Sequence, residues 1–450
     1  MKKLYFLLLM GIVFLSSCSD VKKADKLRLE HKFDEAAALY QKAAEKGDAY
    51  AMRRLGLCYA NGEGVDIDDK KAYEWYVKAA KAGNEEAKAV MACSKIWGWY
   101  GQTKDVKQGI KQLTDMAKKT NNPYVLVQYS ELYWWGVANE IEKDCAKADS
   151  ILNTIQDKSN PYYLEWMGKV YCYGTDITDI DENKAIEYWE KAYKSGQHTA
   201  GNIADLYWYG GSQIEKDIDK AVDWYKKGVE DNRSGCMLTL ADIYLSEDSA
   251  LQKFHNSKGA LELLRKSIKL KNGDACDRMG CLYAAGQYVE KDDEEAFKYF
   301  KMADEYGSAN GALNLGVNYL TGRGIEKNVD ETRKCYERAV KRGSAEAALR
   351  LAGMYEDYTL GKPNLDKCKE YLEKAVDLGS PRAYYIIARM YYLGANGYPE
   401  DDYQAFVYFK KAADAGWVDA YEYLIEMYEE GLGCEKNPAK AKEYRDKLNG

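Results

Sequence analysis

A helical pattern that keeps returning restricts the fold of this chain more than any other feature. From Ala49 to Gly83 the sequence reads AYAMRRLGLCYANGEGVDIDDKKAYEWYVKAAKAG. Leu55, Gly56 and Tyr59 mark one short amphipathic helix, and Gly62 and Gly64 break it. Ala72, Trp75, Tyr76, Ala79 and Ala80 recur at helical spacing in a second helix that ends at Gly83. Equivalents of Ala72 follow at Gly109, Ala148, Ala185, Ala221, Ala260, Ala296, Thr332, Cys368, Ala405 and Ala441, in steps of about 36–39 residues. A half-unit from Phe33 to Gly47 precedes them. In such an array each unit contacts only its neighbours, so 450 residues need not divide into separate globules.

Ten first helices carry a small residue with an aromatic three positions later: Gly56/Tyr59, Ser94/Trp97, Ser130/Tyr133, Gly168/Tyr171, Ala204/Tyr207, Ala241/Tyr244, Gly280/Tyr283, Gly316/Tyr319, Ala352/Tyr355 and Ala388/Tyr391; the last unit has Ile425/Tyr428, where the small residue is lost. A small residue lets two helices approach closely, and the aromatic one turn on is expected to fill the gap between units. The pattern A-x3-L-G-x-x-Y-x-x-G-x-G followed by A-x-x-W-Y-x-K-A-A-x-x-G resembles the Sel-one-like repeat (SLR) family, which is related to tetratricopeptide repeats. Ala51–Gly83 and Ala312–Gly343 match it best. The resemblance implies an all-α, right-handed solenoid of stacked antiparallel helix pairs, about eleven units over residues 27–450. Glu85 to Asn122 departs from it, with Trp97-Gly98-Trp99-Tyr100-Gly101 in place of the glycine turn. Ser234 to Gly273 carries an enlarged turn, SEDSALQKFHNSK. The polar helix from Pro438 suits a terminal cap, as does a helix around Lys26 to Glu30 at the other end.

The N-terminus reads as an address. Lys2 and Lys3 precede a short apolar run, Leu4 to Leu15, which ends in Leu15-Ser16-Ser17-Cys18. This resembles a bacterial lipoprotein signal: residues 1–17 would be removed, Cys18 lipidated, and 18–26 would form a polar tether. Ser19 after the cysteine implies, in enterobacterial lipoproteins, passage to the outer membrane.

Little in the sequence carries catalysis. The three histidines, His31, His198 and His255, share no metal-ligand spacing. No strand precedes Gly62-Glu63-Gly64 or Gly322-Arg323-Gly324, so these are repeat turns and not phosphate cradles. Some SLR relatives have been described as β-lactamases. Their S-x-x-K pattern occurs only at Ser19–Lys22, without K-T-G, so a hydrolase is the weakest reading. Acidic runs such as Asp66–Asp69 and Asp176–Asp181 precede second helices, where Asp caps the helix and favours its dipole. No metal or cofactor is expected. Net charge is −7, or about −9 without Lys2 and Lys3, and no basic stripe appears, which argues against nucleic acid. Besides Cys18 the chain has ten cysteines at shifting repeat positions. They read mostly as small buried thiols, with Cys335 and Cys368 as the first pair to test for a bridge.

Transferring the ligand-contact positions of tetratricopeptide repeats implies an aromatic stripe over three consecutive units. It comprises Tyr124, Glu131, Trp134 and Trp135, then Tyr162, Glu165, Lys169 and Tyr173, then Asp205, Trp208 and Tyr209, with Trp99 ahead of them; His198 falls in the same register. A milder set is Arg382, Tyr385, Arg389 and Tyr392, and an acidic one is Asp419, Glu422, Glu426, Glu429 and Glu430. Trp99, Trp135, Tyr173 and Tyr209 all replace Asn61 of the first full unit. Trp and Tyr are common anchors of peptide interfaces and also offer flat faces to sugar rings. The expected role is a membrane-anchored scaffold that holds a protein or peptide of the cell envelope in a concave groove. The alternative is a binder of envelope glycan or peptidoglycan fragments.

Overall fold

A computed structural model describes residues 19–449, which form 24 α-helices in stacked pairs with two short 3-10 turns. The expected signal segment, residues 1–17, and the expected lipidation at Cys18 lie outside the described residues. The helices form two compact units that meet in sequence at Lys271 and Asn272. The first holds α1 (19–29), α2 (Phe33–Glu45), α3 (Ala49–Asn61), α4 (Asp69–Lys81), α5 (Glu85–Trp97), α6 (Val106–Ala117), α7 (Pro123–Trp135), α8 (Cys145–Asn153), α9 (Pro161–Tyr173), α10 (Glu182–Lys194), α11 (Ala200–Tyr209), α12 (Ile218–Glu230), α13 (Ser234–Leu245) and α14 (Ser257–Lys269). The second runs from α15 (Gly273–Ala285) to α24 (Pro438–Asn449). Among the described residues no helix is long and apolar enough to cross a membrane.

The stretch read as a tether is helical from residue 19. Ala24 is fully buried, and Asp20 pairs with Lys42 and Lys46 of the next helix and its end. The tether reading is therefore corrected over residues 19–26: this segment is a capping helix with Lys22, Lys23 and Lys26 exposed and Asp25 turned in to accept from Tyr40.

Helix starts follow their side-chain caps. Asp48, Asp68, Asn84, Asp105 and Asn122 each accept a hydrogen bond from a backbone N–H two or three residues on. The acidic runs before second helices thus act as caps. The second glycine of the turn answers to a neighbour's backbone: a Cβ on Gly64 would lie 2.2 Å from the Phe33 carbonyl oxygen, and on Gly324 2.0 Å from that of Asp293. Both also hold φ near +70°.

The glycines at the small position of four first helices, Gly56, Gly168, Gly280 and Gly316, face the buried aromatic of the second helix of their own unit, Tyr76, Trp189, Phe300 and Tyr336. A Cβ on Gly168 would sit 2.2 Å from the Trp189 indole, and on Gly316 2.5 Å from the Tyr336 ring. The abundant tyrosines have a second role. Tyr171 stacks on Tyr188, Tyr283 on Tyr299, and Tyr355 on Tyr371, with centroids 5.5, 5.5 and 5.6 Å apart. Lys184 and Lys191 flank the first pair, and Lys367 and Lys374 the third. In these repeats the aromatic after the small residue joins the two helices of one unit, while Tyr319 also packs edge-on against Phe297 of the preceding unit at 5.4 Å and so fills the gap between units. None of the ten described cysteines, Cys335 and Cys368 included, is joined in a disulfide among the described residues.

Candidate functional site

Within the first unit, segments far apart in sequence meet. Arg28 at the end of α1 holds the Glu63 carboxylate with Nε at 2.7 Å and Nη2 at 3.2 Å, and Nη1 donates to the Gly196 carbonyl at 2.9 Å. His198, between α10 and α11, places Nε2 3.0 Å from Glu63 and Nδ1 3.6 Å from Asp231. His31 Nδ1 lies 3.3 Å from the same Asp231. Asn232 donates to the Gly62 carbonyl at 2.8 Å. This clasp ties α1 and the α3–α4 turn to the ends of α10 and α12.

Glu63 is 1% exposed. Burial works to raise its carboxyl pKa, but hydrogen bonds and charge from His198 and Arg28 outweigh it and hold the group well below the usual carboxylate range. Burial works to lower the His198 pKa. The Asp231 and Glu63 carboxylates outweigh it, and the imidazole is raised above its ordinary value, although Arg28 opposes the shift.

The clasp forms one side of a half-open hollow of about 350 Å³. Tyr124 and Tyr162 stand edge to face across 4.8 Å in its wall, with Tyr50 and His198 at equivalent repeat positions. The transferred register thus brings these four residues together, around a small cavity.

The remaining stripe residues divide. Trp99, Trp135, Tyr173 and Tyr209 are 39, 57, 64 and 77% exposed. They occupy the same repeat position at or just past the C-terminal ends of α5, α7, α9 and α11. Trp134 is 4% exposed and packs edge-on against Trp166 at 5.8 Å, so it belongs to the core and not to the stripe. One residue's step along a helix turns the side chain by about 100°, and that is the difference between the two tryptophans. Trp208 is half-buried against Tyr225, whose hydroxyl donates to Asp205 at 2.7 Å. Lys169 lies 3.7 Å from Glu165. Burial raises the Glu131 pKa, with Lys169 opposing and Glu165 reinforcing.

In the second unit Asp419, Glu422 and Glu426 line one hollow with Tyr385, and the Tyr392 hydroxyl donates to Glu426 at 3.2 Å. Glu429 pairs with Arg445 instead.

The Sel1 repeat model matches residues 29–48, 49–84, 161–197, 200–232, 273–303, 309–344, 345–380, 381–417 and 420–444, more than half of the chain. The chain belongs to the Sel1 repeat family. Its longest stretch outside the Sel1 matches, 85–160, carries Trp99 and Trp135. Over 281 residues it is 26% identical to the chitin synthase regulator SKT5 of Saccharomyces cerevisiae, covering 60% of this chain and 39% of that protein. Chitin synthase regulatory factor 3 of Schizosaccharomyces pombe is 25% identical over 274 residues, 61% of this chain and 26% of the relative. The chain thus spans well under half the length of these curated relatives. Among solved structures, c5321, a protective antigen of uropathogenic Escherichia coli with an SLR fold, is 24% identical and covers 92% of this chain and 86% of its own, with a TM-score of 0.45.

The clasp was not foreseen from the sequence. His31, Glu63, His198 and Asp231 form no spacing motif, and the only hint was that His198 falls in the same register as Tyr124 and Tyr162.

Proposed function

We propose that this Sel1 repeat protein is a non-enzymatic scaffold that docks an envelope protein or peptide along the row Trp99, Trp135, Tyr173 and Tyr209. The exposure of all four rings at one repeat position carries the reading, because large aromatics left in water at the same place in successive units mark an interaction surface. The flanking groups Glu131, Glu165, Lys169 and Asp205 supply polar partners beside the row. That the matched fungal relatives are regulators of a synthase supports a scaffold and not a catalyst.

The proposal includes a lipid on Cys18 as the membrane tether, supported by the run Leu4–Cys18. The test is crosslinking pull-down from the detergent-solubilised native membrane, with a Trp135→Ser/Tyr173→Ser/Tyr209→Ser variant as control. A partner captured by the native chain and lost in the variant supports the row. Equal capture by both removes it. Retention on insoluble peptidoglycan that depends on the same rings would instead favour the glycan alternative. Cys18→Ala is expected to move the protein out of the membrane fraction.

A further inference from the structure

We propose that the interior cavity of the first unit is a binding site for a zwitterionic small molecule, a free amino acid or a short peptide. This inference is independent of the aromatic row. The cavity, about 350 Å³, falls within the size range of small-molecule sites. Arg54 reaches it with a side chain only 11% exposed. Its Nε donates to the Tyr40 hydroxyl at 3.3 Å and lies 3.7 Å from Asp25. Its two terminal nitrogens take no acceptor among the described residues. Arg53 is 6% exposed, with Nη1 donating to the Tyr162 hydroxyl at 3.3 Å; its Nε lies 3.0 Å from the Glu86 carboxylate but makes no hydrogen bond and is buried without a partner. A guanidinium N–H buried without an acceptor, as Arg53 Nε is, is costly, and a planar carboxylate is the group that satisfies two guanidinium N–H groups at once.

The same cavity has carboxylates in its wall. Asp25 Oδ1 accepts from Tyr40 at 2.5 Å and Tyr50 at 3.1 Å, which leaves Oδ2 without a hydrogen bond among the described residues. Glu86 stands by Arg53. Asp25 and Glu86 disfavour a polyanion such as a free phosphate, and the arginines disfavour a simple cation. A ligand bearing one carboxylate and one ammonium answers both. The Tyr50, Tyr100 and Tyr124 rings offer apolar faces to its body.

The experiment is native mass spectrometry and titration calorimetry on the full chain, with a panel of the twenty free amino acids, glycyl-tyrosine, alanyl-alanine and inorganic phosphate. At least one zwitterion is expected to bind, and its C-terminal amide and its N-acetyl form are expected to bind at least tenfold more weakly. Arg54→Met is expected to abolish binding. That variant also breaks the Tyr40 and Asp25 contacts, so Leu57→Trp, which fills the cavity from another wall, is the second test and should abolish binding with the fold retained. No binding by any member of the panel overturns the proposal. So does phosphate, or the blocked forms, binding as tightly as the zwitterion; that comparison uses the native chain alone.

Discussion

The Nε2 of His198 lies 3.0 Å from the carboxylate of Glu63, although 135 residues separate the two in sequence. A repeat array held only by neighbour contacts has no such link. Here the end of α1 and the α3–α4 turn share one buried charge network with the residues that follow α10 and α12. Removing Glu63 leaves Arg28 and His198 buried without their main counter-charge. Glu63→Ala is expected to destabilise the first unit by about 3 kcal/mol, read as a shift in urea denaturation. The second unit, which ends with a polar cap of its own, should keep its melting behaviour.

The clasp also makes the first unit sensitive to pH. The folded-state pKa of His198 is raised, so its stabilising contribution is complete below the unfolded value, about 6.5, and is lost as pH rises through the folded value. Glu63 runs the other way. Its folded pKa is depressed, so its contribution is present above about pH 4.3 and is lost as pH falls toward the folded value. Native-chain stability should therefore peak in mildly acidic solution, between those limits. His198→Gln should flatten the alkaline side of the profile while leaving the acid side in place. A native profile that is flat from pH 6 to 8 would remove His198 from the clasp.

Two glycines inside helices are expected to respond in opposite directions. On Gly168 an added Cβ meets the Trp189 indole at 2.2 Å, and the indole is anchored by its N–H to the Glu165 carbonyl. Gly168→Ala should cost about 1–3 kcal/mol through overpacking. On Gly353, within the helix Ala345–Glu356, a Cβ meets nothing within 4 Å. Gly353→Ala should gain about 0.5–1 kcal/mol from helix propensity alone. Chemical denaturation of both variants, followed by circular dichroism, checks the pair.

The contrast shows what the sequence could disclose. Helix existence, caps and turns were legible because each depends on residues a few positions apart: Asp68 caps α4 through Lys71, and Gly64 clears the backbone at Phe33 one unit back. The exposed position shared by Trp99, Trp135, Tyr173 and Tyr209 was legible because equivalent repeat positions share an environment. The burial of Trp134 was not, since a register transferred from tetratricopeptide repeats places it beside Trp135 without showing which ring meets Trp166. The clasp was the least legible. Its members come from four separate turns and helix ends, and only the curvature of the stacked pairs brings Arg28 and Glu63 to His198 and Asp231.

The adjacent tryptophans give the sharpest separation of fold from binding. Trp134 is buried edge-on against Trp166, so Trp134→Ala opens a cavity in the core and should cost about 3–5 kcal/mol. Trp135 is 57% exposed, and Trp135→Ala should shift stability by no more than about 0.5 kcal/mol. If the row is the docking surface, truncating the ring that matters least for folding removes the most partner capture. The measurement is a melting curve and a pull-down on the same two variants. Capture lost with Trp134→Ala and unchanged with Trp135→Ala would place the partner elsewhere on the chain.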